Sequence, residues 1–373
     1  MKFIWTCMLF LVGHLIAGGI YQTQKPLHIF LQFLPVPGFH SVGFRNIIST
    51  PISDIGLANP VVLDNWSRMN AGVSFGYHTS IPDFAQTQDP EITLSQHQPG
   101  LPVAAGWVLP INNGRIGLAY HQSYNFHLTT GEFPVSTASQ DTVAMTRYIE
   151  HEVIHSFSGV VSYSFPDFIR HDDRLTLGAT MTIDYLRFYS EVFEAYAEMN
   201  DYGFSFKMGI SYRLPRFAIG LVYQHQTSVE GDMKLYSELQ TPSPVKSNVY
   251  YTKLPTRYGM GIHWVASEKW QLNGTVTYVL WEQLPYEYTN ALNYSGSVLW
   301  SVGENWNVSG GFFRRGLNRG DTYQDNSYTY LVGGLRYQKE RWDMFLEVWD
   351  NHVNAEEDFQ HTYFVVGAGI RLF

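Results

Sequence analysis

The sequence predicts an all-β protein. It reads as a 14-stranded antiparallel transmembrane β-barrel over residues 69–373, with a small N-terminal hatch over 20–68 plugging the lumen, behind a signal peptide over 1–19. Three observations predict it. The chain ends in HTYFVVGAGIRLF, an alternating strand whose one charge is Arg371 and whose last residue is Phe373. Such a strand can close a sheet onto its first strand, which matters in lipid because an open edge leaves a row of N–H and C=O groups unsatisfied. Aromatic residues make up 16% of the chain and charged residues only 15%, against roughly 25% charged in an ordinary soluble domain. Finally, no internal run reaches the roughly 18 apolar residues that a membrane helix needs, so apolar character is spread along the chain as barrel strands spread it.

The N-terminus carries Lys2, an apolar core from Phe3 to Ile16 and then Ala17-Gly18-Gly19, the pattern of a secretory signal peptide cleaved near Gly19. An uncleaved anchor is the alternative. Cys7, the only cysteine, lies inside this segment, so neither disulfides nor a Cys-ligated metal are expected in the mature chain, and no cofactor is implied. Without Lys2 the chain holds 23 Lys and Arg against 33 Asp and Glu, a net charge near −10. That sign argues against nucleic acid as a partner and against a general anion pore. Residues 20–68 are rich in Pro, Gly and small polar residues, show little alternation, and have the size of a small plug.

From Met69 a period of two takes over. In Leu175–Tyr185 the odd positions are Leu, Leu, Ala, Met, Ile and Tyr, while the even ones are Thr, Gly, Thr, Thr and Asp. One face suits lipid and the other water. The same split recurs in 204–212 and 270–280. Aromatic residues mark the strand ends as they do at the two interfaces of a barrel, which a soluble sandwich does not require. Strands are read near 69–78, 102–110, 115–127, 152–165, 174–189, 203–213, 216–226, 249–265, 269–281, 291–301, 305–314, 328–338, 342–350 and 361–373. Short connections at 112–115, 213–216, 266–269, 302–305 and 338–341 alternate with longer polar ones at 128–151, 190–202, 227–248, 282–290, 315–327 and 351–360. Because bacterial barrels keep short turns in the periplasm and long loops outside, both termini are expected in the periplasm of a Gram-negative cell. The connection 166–173 breaks this pattern by its length.

His151-Glu152-Val153-Ile154-His155 is a literal HExxH. On a helix, residues four apart share a face and can bind one zinc ion. On a strand they stand about 13 Å apart, and the following SFSGVVSYSF alternates as a strand does. No catalytic residue and no metal site is therefore assigned, and an outer-membrane hydrolase is kept only as an outside alternative. No G-x-S-x-G occurs either.

The segment SDIGLANPVVLDNWSRMNAGVSFGYHTSIPD resembles the hatch-to-first-strand region of the FadL family, outer-membrane transporters of long-chain fatty acids and aromatic hydrocarbons, with Asn59-Pro60 as the pair that ends the hatch. LPTRYGMGIHWVASEKWQLNGTVTYVLWEQL is similar to that family's Leu-Pro strand and the strand after it, through Leu254, Pro255, Lys269, Trp270 and Trp281. Val61 stands where a small Ala is usual, and Asp54 alone represents a common acidic pair. The resemblance implies capture of a hydrophobic ligand outside, passage past the hatch, and lateral exit into the bilayer beside a kink in the third strand, placed here at Gly117. It also implies a monomer in outer-membrane lipid, inserted by the barrel-assembly machinery. The alternative is a structural or secretion-associated barrel that binds a partner protein.

If the ligand has a carboxylate, the inward-facing cations Lys207 and Arg336 are its candidate contacts, with Asp184 as a structural partner for Lys207. Phe30, Phe33, Phe39 and Phe44 of the hatch could line a greasy pocket, or simply pack against the wall. In the last strand, Phe364, Val366, Ala368, Ile370 and Leu372 form the lipid-like row, whereas Phe373 shares parity with Arg371, Gly369 and Gly367. Either a bulge at 367–369 shifts the row, or Phe373 turns inward and Arg371 faces the lumen; the second is preferred.

Overall fold

The computed structural model describes residues 41–78, 92–95, 102–130, 133–136, 143–192, 195–225, 227–237, 246–283, 288–316, 318–319, 328–352 and 362–372. The expected signal peptide over 1–19 and residues 20–40, with Phe30, Phe33 and Phe39, lie outside these. Fourteen antiparallel strands close one sheet. In chain order they are β1 (Asn70–His78), β2 (Ile92–Ser95 and Ala104–Ile111), β3 (Gly114–Thr130), β4 (Tyr148–Pro166) and β5 (Arg174–Val192). Then come β6 (Ala195–Arg213), β7 (Phe217–Gln224 and Thr227–Ser237), β8 (Lys246–Leu254 and Arg257–Val265), β9 (Trp270–Val279) and β10 (Ala291–Ser301). The last four are β11 (Trp306–Arg315), β12 (Tyr328–Lys339), β13 (Trp342–Asp350) and β14 (Thr362–Arg371). β14 pairs with β1 from Asn70↔Arg371 to His78↔Tyr363 without a break. No bulge therefore occurs at 367–369, and Arg371 stays in the inward row with Gly369 and Gly367. Phe373 is outside the described residues.

Alternation orients every wall strand. On β5, Thr176, Thr180, Thr182 and Asp184 are buried inside while Leu177, Met181 and Ile183 are exposed outside. Trp264, Trp270, Trp300, Trp306 and Trp342 all face outward near the short turns, and Trp270 stacks on Trp300 at 5.5 Å. This is the aromatic girdle of a bilayer interface. The long connection before β5 is a built turn: the Asp173 carboxylate accepts the N–H groups of Phe168 (2.6 Å), Ile169 (3.0 Å) and Arg170 (2.9 Å) and the Tyr212 hydroxyl (2.5 Å).

At the opposite end three expected loops are largely strand. β5 and β6 meet through residues 193–194 alone, so 190–202 is a hairpin rather than a loop. β3 and β4 stay paired out to Thr129↔Ile149 within the expected 128–151 loop, which also carries a small hairpin, Phe133–Ser136 with Val143–Thr146. The expected 227–248 loop is mainly the outer half of β7. Polar side chains beyond the bilayer read as loop in the sequence, yet the ladder continues through them.

The wall is irregular in two places. Among the described residues β1 pairs with β2 from Asn70 to Ser74, with the Val103 N–H to Ser74 carbonyl bond (2.9 Å) at the end of that ladder. Beside it β3 slips register between Gln122 and Tyr124. Gly117, where the strand-three kink is expected, keeps unbroken register with Val108 and Val160, and its bare face lies against Ile55 and Leu63 of the hatch. The second irregularity is in β7 and β8, which break together at His225-Gln226 and Pro255-Thr256. Pro255, which has no N–H to give a ladder, marks this break. Beyond it the two strands remain paired with each other, Thr227↔Leu254 to Leu235↔Lys246, but their shared ribbon leans inward. Gly203 of β6 has the Ser228 carbonyl and the Val229 side chain against its inner side.

Candidate functional site: the hatch and the lumen above it

Hatch residues 41–64 lie inside the barrel, nearly all of them buried. Two short 3-10 helices, Ile52–Asp54 and Pro60–Asn65, and the turn between them carry a buried apolar row of Ile52, Ile55, Ala58, Val62 and Leu63 against Val108, Ala119 and Val160 of the wall. Asn59 starts the second helix as its N-cap, accepting the Val61 N–H at 3.3 Å, and Pro60 at the first helical position has no N–H to leave unpaired.

Three polar contacts pin this plug. Arg45 sits between two acids: its Nε donates to Asp54 at 2.7 Å, and its Nη1 pairs with Glu347 on β13. Glu347 also accepts the Phe44 N–H (2.9 Å) and the Trp349 indole N–H (3.2 Å), and the guanidinium lies 5.4 Å from the Trp349 ring. Burial would lower the Arg45 pKa, but Asp54 and Glu347 together hold it above the usual arginine value. At the second pin, Asn59 Nδ2 donates to the Leu221 carbonyl of β7 at 3.2 Å. Wall glycines make room there, since a Cβ on Gly209 or Gly178 would run into Asn59 or Pro60. The third pin is Asp64, which takes Ser164 Oγ (2.5 Å) and Arg174 Nη1 (3.0 Å), with Arg213 at 3.8 Å. Burial pushes this carboxyl up, but Ser164, Arg213 and Arg174 outweigh burial and hold it below the ordinary 3.8.

The candidate ligand contacts fall in three places. Phe44 is buried in an aromatic cluster with Phe345, Phe313, Tyr330, Trp349 and Tyr363, and so anchors the hatch to the wall. Arg336 is forked to Asp343 (Nε–Oδ1 2.7 Å) and lies 5.7 Å from the Phe44 ring. It lines a polar cavity of about 480 Å³ with Trp66, Trp342, Asp343 and Arg371 at the short-turn end of the barrel. Lys207 is buried against the hatch and donates to the Gly56 carbonyl. The expected pairing with Asp184 is not a direct one, because Asp184 is held by Ser156 and by Ser205 (3.4 Å) and acts on Lys207 through space.

His121 was not legible as a site residue. It is buried on the inner face of β3, and its Nδ1 has no hydrogen-bond partner among the described residues. It faces Gly56, where a Cβ would come 3.0 Å from that nitrogen. The register puts His121 beside Ser156, Ser156 beside Asp184, and Asp184 beside Gly203. A polar row therefore crosses three adjacent strands and ends beside Gly203, with His121 against Gly56 and Lys207 bonded to the Gly56 carbonyl. It runs from the end of the β1–β2 ladder, where Ala104 pairs with His121, to the inward lean of β7. A polar row with one buried cation and one imidazole beside it can orient a ligand by its polar end. His151 and His155 do not join this row: they fall on the face of β4 opposite to the buried Glu152, and His155 stacks between Tyr120 (6.0 Å) and Tyr185 (6.3 Å).

A closed 14-stranded barrel with a structured hatch in its lumen is a narrow architectural class. The fold matches that of solved hydrocarbon channels. The Ralstonia pickettii toluene transporter TbuX superposes with a TM-score of 0.59 at 13% identity, covering 91% of this chain and 100% of that one. A Pseudomonas aeruginosa FadL homologue gives 0.58 at 10% identity, covering 90% and 97%. The monoaromatic hydrocarbon channel CymD gives 0.57 at 13% identity, covering 91% and 98%. No protein-family model matches the chain, and no curated protein matches it.

Proposed function

We propose that this protein carries hydrophobic small molecules, long-chain fatty acids or aromatic hydrocarbons, across a Gram-negative outer membrane. The ligand is captured at the end with the long hairpins, passes the hatch, and leaves sideways into the bilayer. The observation that carries this reading is the seated hatch: it packs against the inner wall and is pinned there through Arg45, Asn59 and Asp64, which suits a gated route for a greasy molecule that gains roughly 0.8 kcal/mol per CH₂ by staying out of water. The early end of the β1–β2 ladder and the slip in β3 supply a weak line in the wall for its exit. Similarity of fold to a toluene transporter and a hydrocarbon channel supports the ligand class. In this reading the short-turn end and both termini face the periplasm, the barrel-assembly machinery inserts the chain, and it works as a monomer without enzymatic activity.

Mass spectrometry of organic extracts from the detergent-purified protein tests the ligand class. A fatty acid or aromatic compound at near-stoichiometric amount is expected. An empty lumen together with a stoichiometric protein partner in pull-downs would favour a partner-binding barrel instead.

A further inference from the structure

We propose that the wall has a second lateral opening, between β6 and β7, through which the apolar ligand leaves the lumen. The proposal rests on the transport reading above. Up to Gln224↔Lys207 the two strands form a regular ladder, extended by the His225 N–H to Phe206 carbonyl bond (2.9 Å). Pairing returns only at Lys234↔Glu198, one residue out of step. Over the interval, residues 199–205 of β6 have no ladder on that side among the described residues. Tyr202, whose N–H should reach β7, gives it instead to the Asp201 carboxylate at 2.7 Å. A strand in lipid does not forgo such bonds without cause.

What stands on either side of the seam indicates its use. Inside is the polar row that starts with His121 against Gly56 of the hatch and ends at Asp184 beside Gly203, with the buried Thr227 hydroxyl of the inward ribbon next to Asp184. Outside, next to the seam, β6 to β9 form an apolar groove of about 530 Å³. Met208, Leu221, Tyr223 and Met260 line it, and Gly209 and Gly259 lie in the same strands. The hatch touches the inner side of this same patch, since Asn59 fits against Gly209 and bonds the Leu221 carbonyl. A ligand held by its polar end at Lys207 and His121 thus has its apolar end beside the seam, and any hatch movement that frees Asn59 acts on the strands that border it.

The test is a reversible lock. Asp201 and Gly231 face each other across the seam, and a Cβ on Gly231 would lie 2.9 Å from the Asp201 Cβ, so a small shift reaches the roughly 3.5–4.5 Å of a disulfide. The full-length Asp201→Cys/Gly231→Cys protein is expressed in Gram-negative cells and uptake of radiolabelled oleate and toluene is measured. A control lock, Leu335→Cys/Leu346→Cys, joins two opposed lipid-facing residues of β12 and β13. Oxidation of the seam pair is expected to lower uptake about tenfold, as for a gate that cannot open, with recovery on reduction and no change for the control. Unchanged uptake with the seam disulfide formed would overturn the second opening while leaving the transport reading intact. If the unlocked protein moves neither probe, the transport reading fails and the proposal falls with it.

Discussion

Arg45→Met is expected to release the hatch from the wall. Removing the one cation leaves Asp54 and Glu347 buried at 3% and 0% exposure with hydrogen-bond donors but no countercharge. Breaking a buried ion network from one side costs roughly 3–5 kcal/mol, far more than the net worth of the intact network. The loss falls on the plug, not the barrel, whose ladders do not pass through Arg45. Thermal unfolding of the barrel in detergent should therefore shift little, while proteinase K should cut within 41–68 much faster and planar-bilayer recordings should show ion-conducting openings. A triple variant, Arg45→Met/Asp54→Ala/Glu347→Leu, should recover much of the protection because no buried charge remains unpaired. Equal protection of wild type and the single variant would show that the network does not hold the plug.

Gly106→Val should give a comparable effect from the wall side. A Cβ at Gly106 would stand 1.9 Å from the Ile52 carbonyl and 3.1 Å from the Ile55 side chain, so the helix Ile52–Asp54 must move. Overpacking with a flexible neighbour costs roughly 1–3 kcal/mol; here the neighbour is backbone, which places the cost at or above the top of that range. Gly310→Ala, whose Cβ would meet nothing within 4 Å, is the matched control and should leave hatch protease resistance unchanged. If Gly106→Val behaves like Gly310→Ala, the hatch does not pack against β2 as described.

The barrel was readable because its information is local. Each strand announces itself by alternation within about ten residues, and each short turn by the polar residues between two such runs. The chain could thus be divided at 213–216, 266–269 and 302–305 without any knowledge of what faces what. Strand length was harder to read, since Glu191, Glu198 and Asp201 look like loop once apolar alternation ends, although backbone pairing needs no apolar side chain. What the hatch pins bond to was far less readable. Arg45 and Glu347 are 302 residues apart, and only closure of the barrel around the plug brings them together. One signal was available and under-used. Glu347 lies in the inward row of β13 with Phe345 and Trp349, and a carboxylate in such a row requires a buried partner. Likewise Pro255 in the middle of an alternating run is a better marker of a wall break than Gly117, because a proline removes a ladder bond while a glycine only weakens the strand.

Uptake by whole cells tests the central claim most directly. A Gram-negative host whose own fatty-acid uptake has been deleted is given this chain, and accumulation of radiolabelled oleate and toluene is compared with that of a disaccharide. Oleate or toluene should accumulate severalfold faster than in cells with an empty vector, with the disaccharide unchanged. Faster entry of the disaccharide with no gain for either apolar probe would contradict the account and make the protein an aqueous pore.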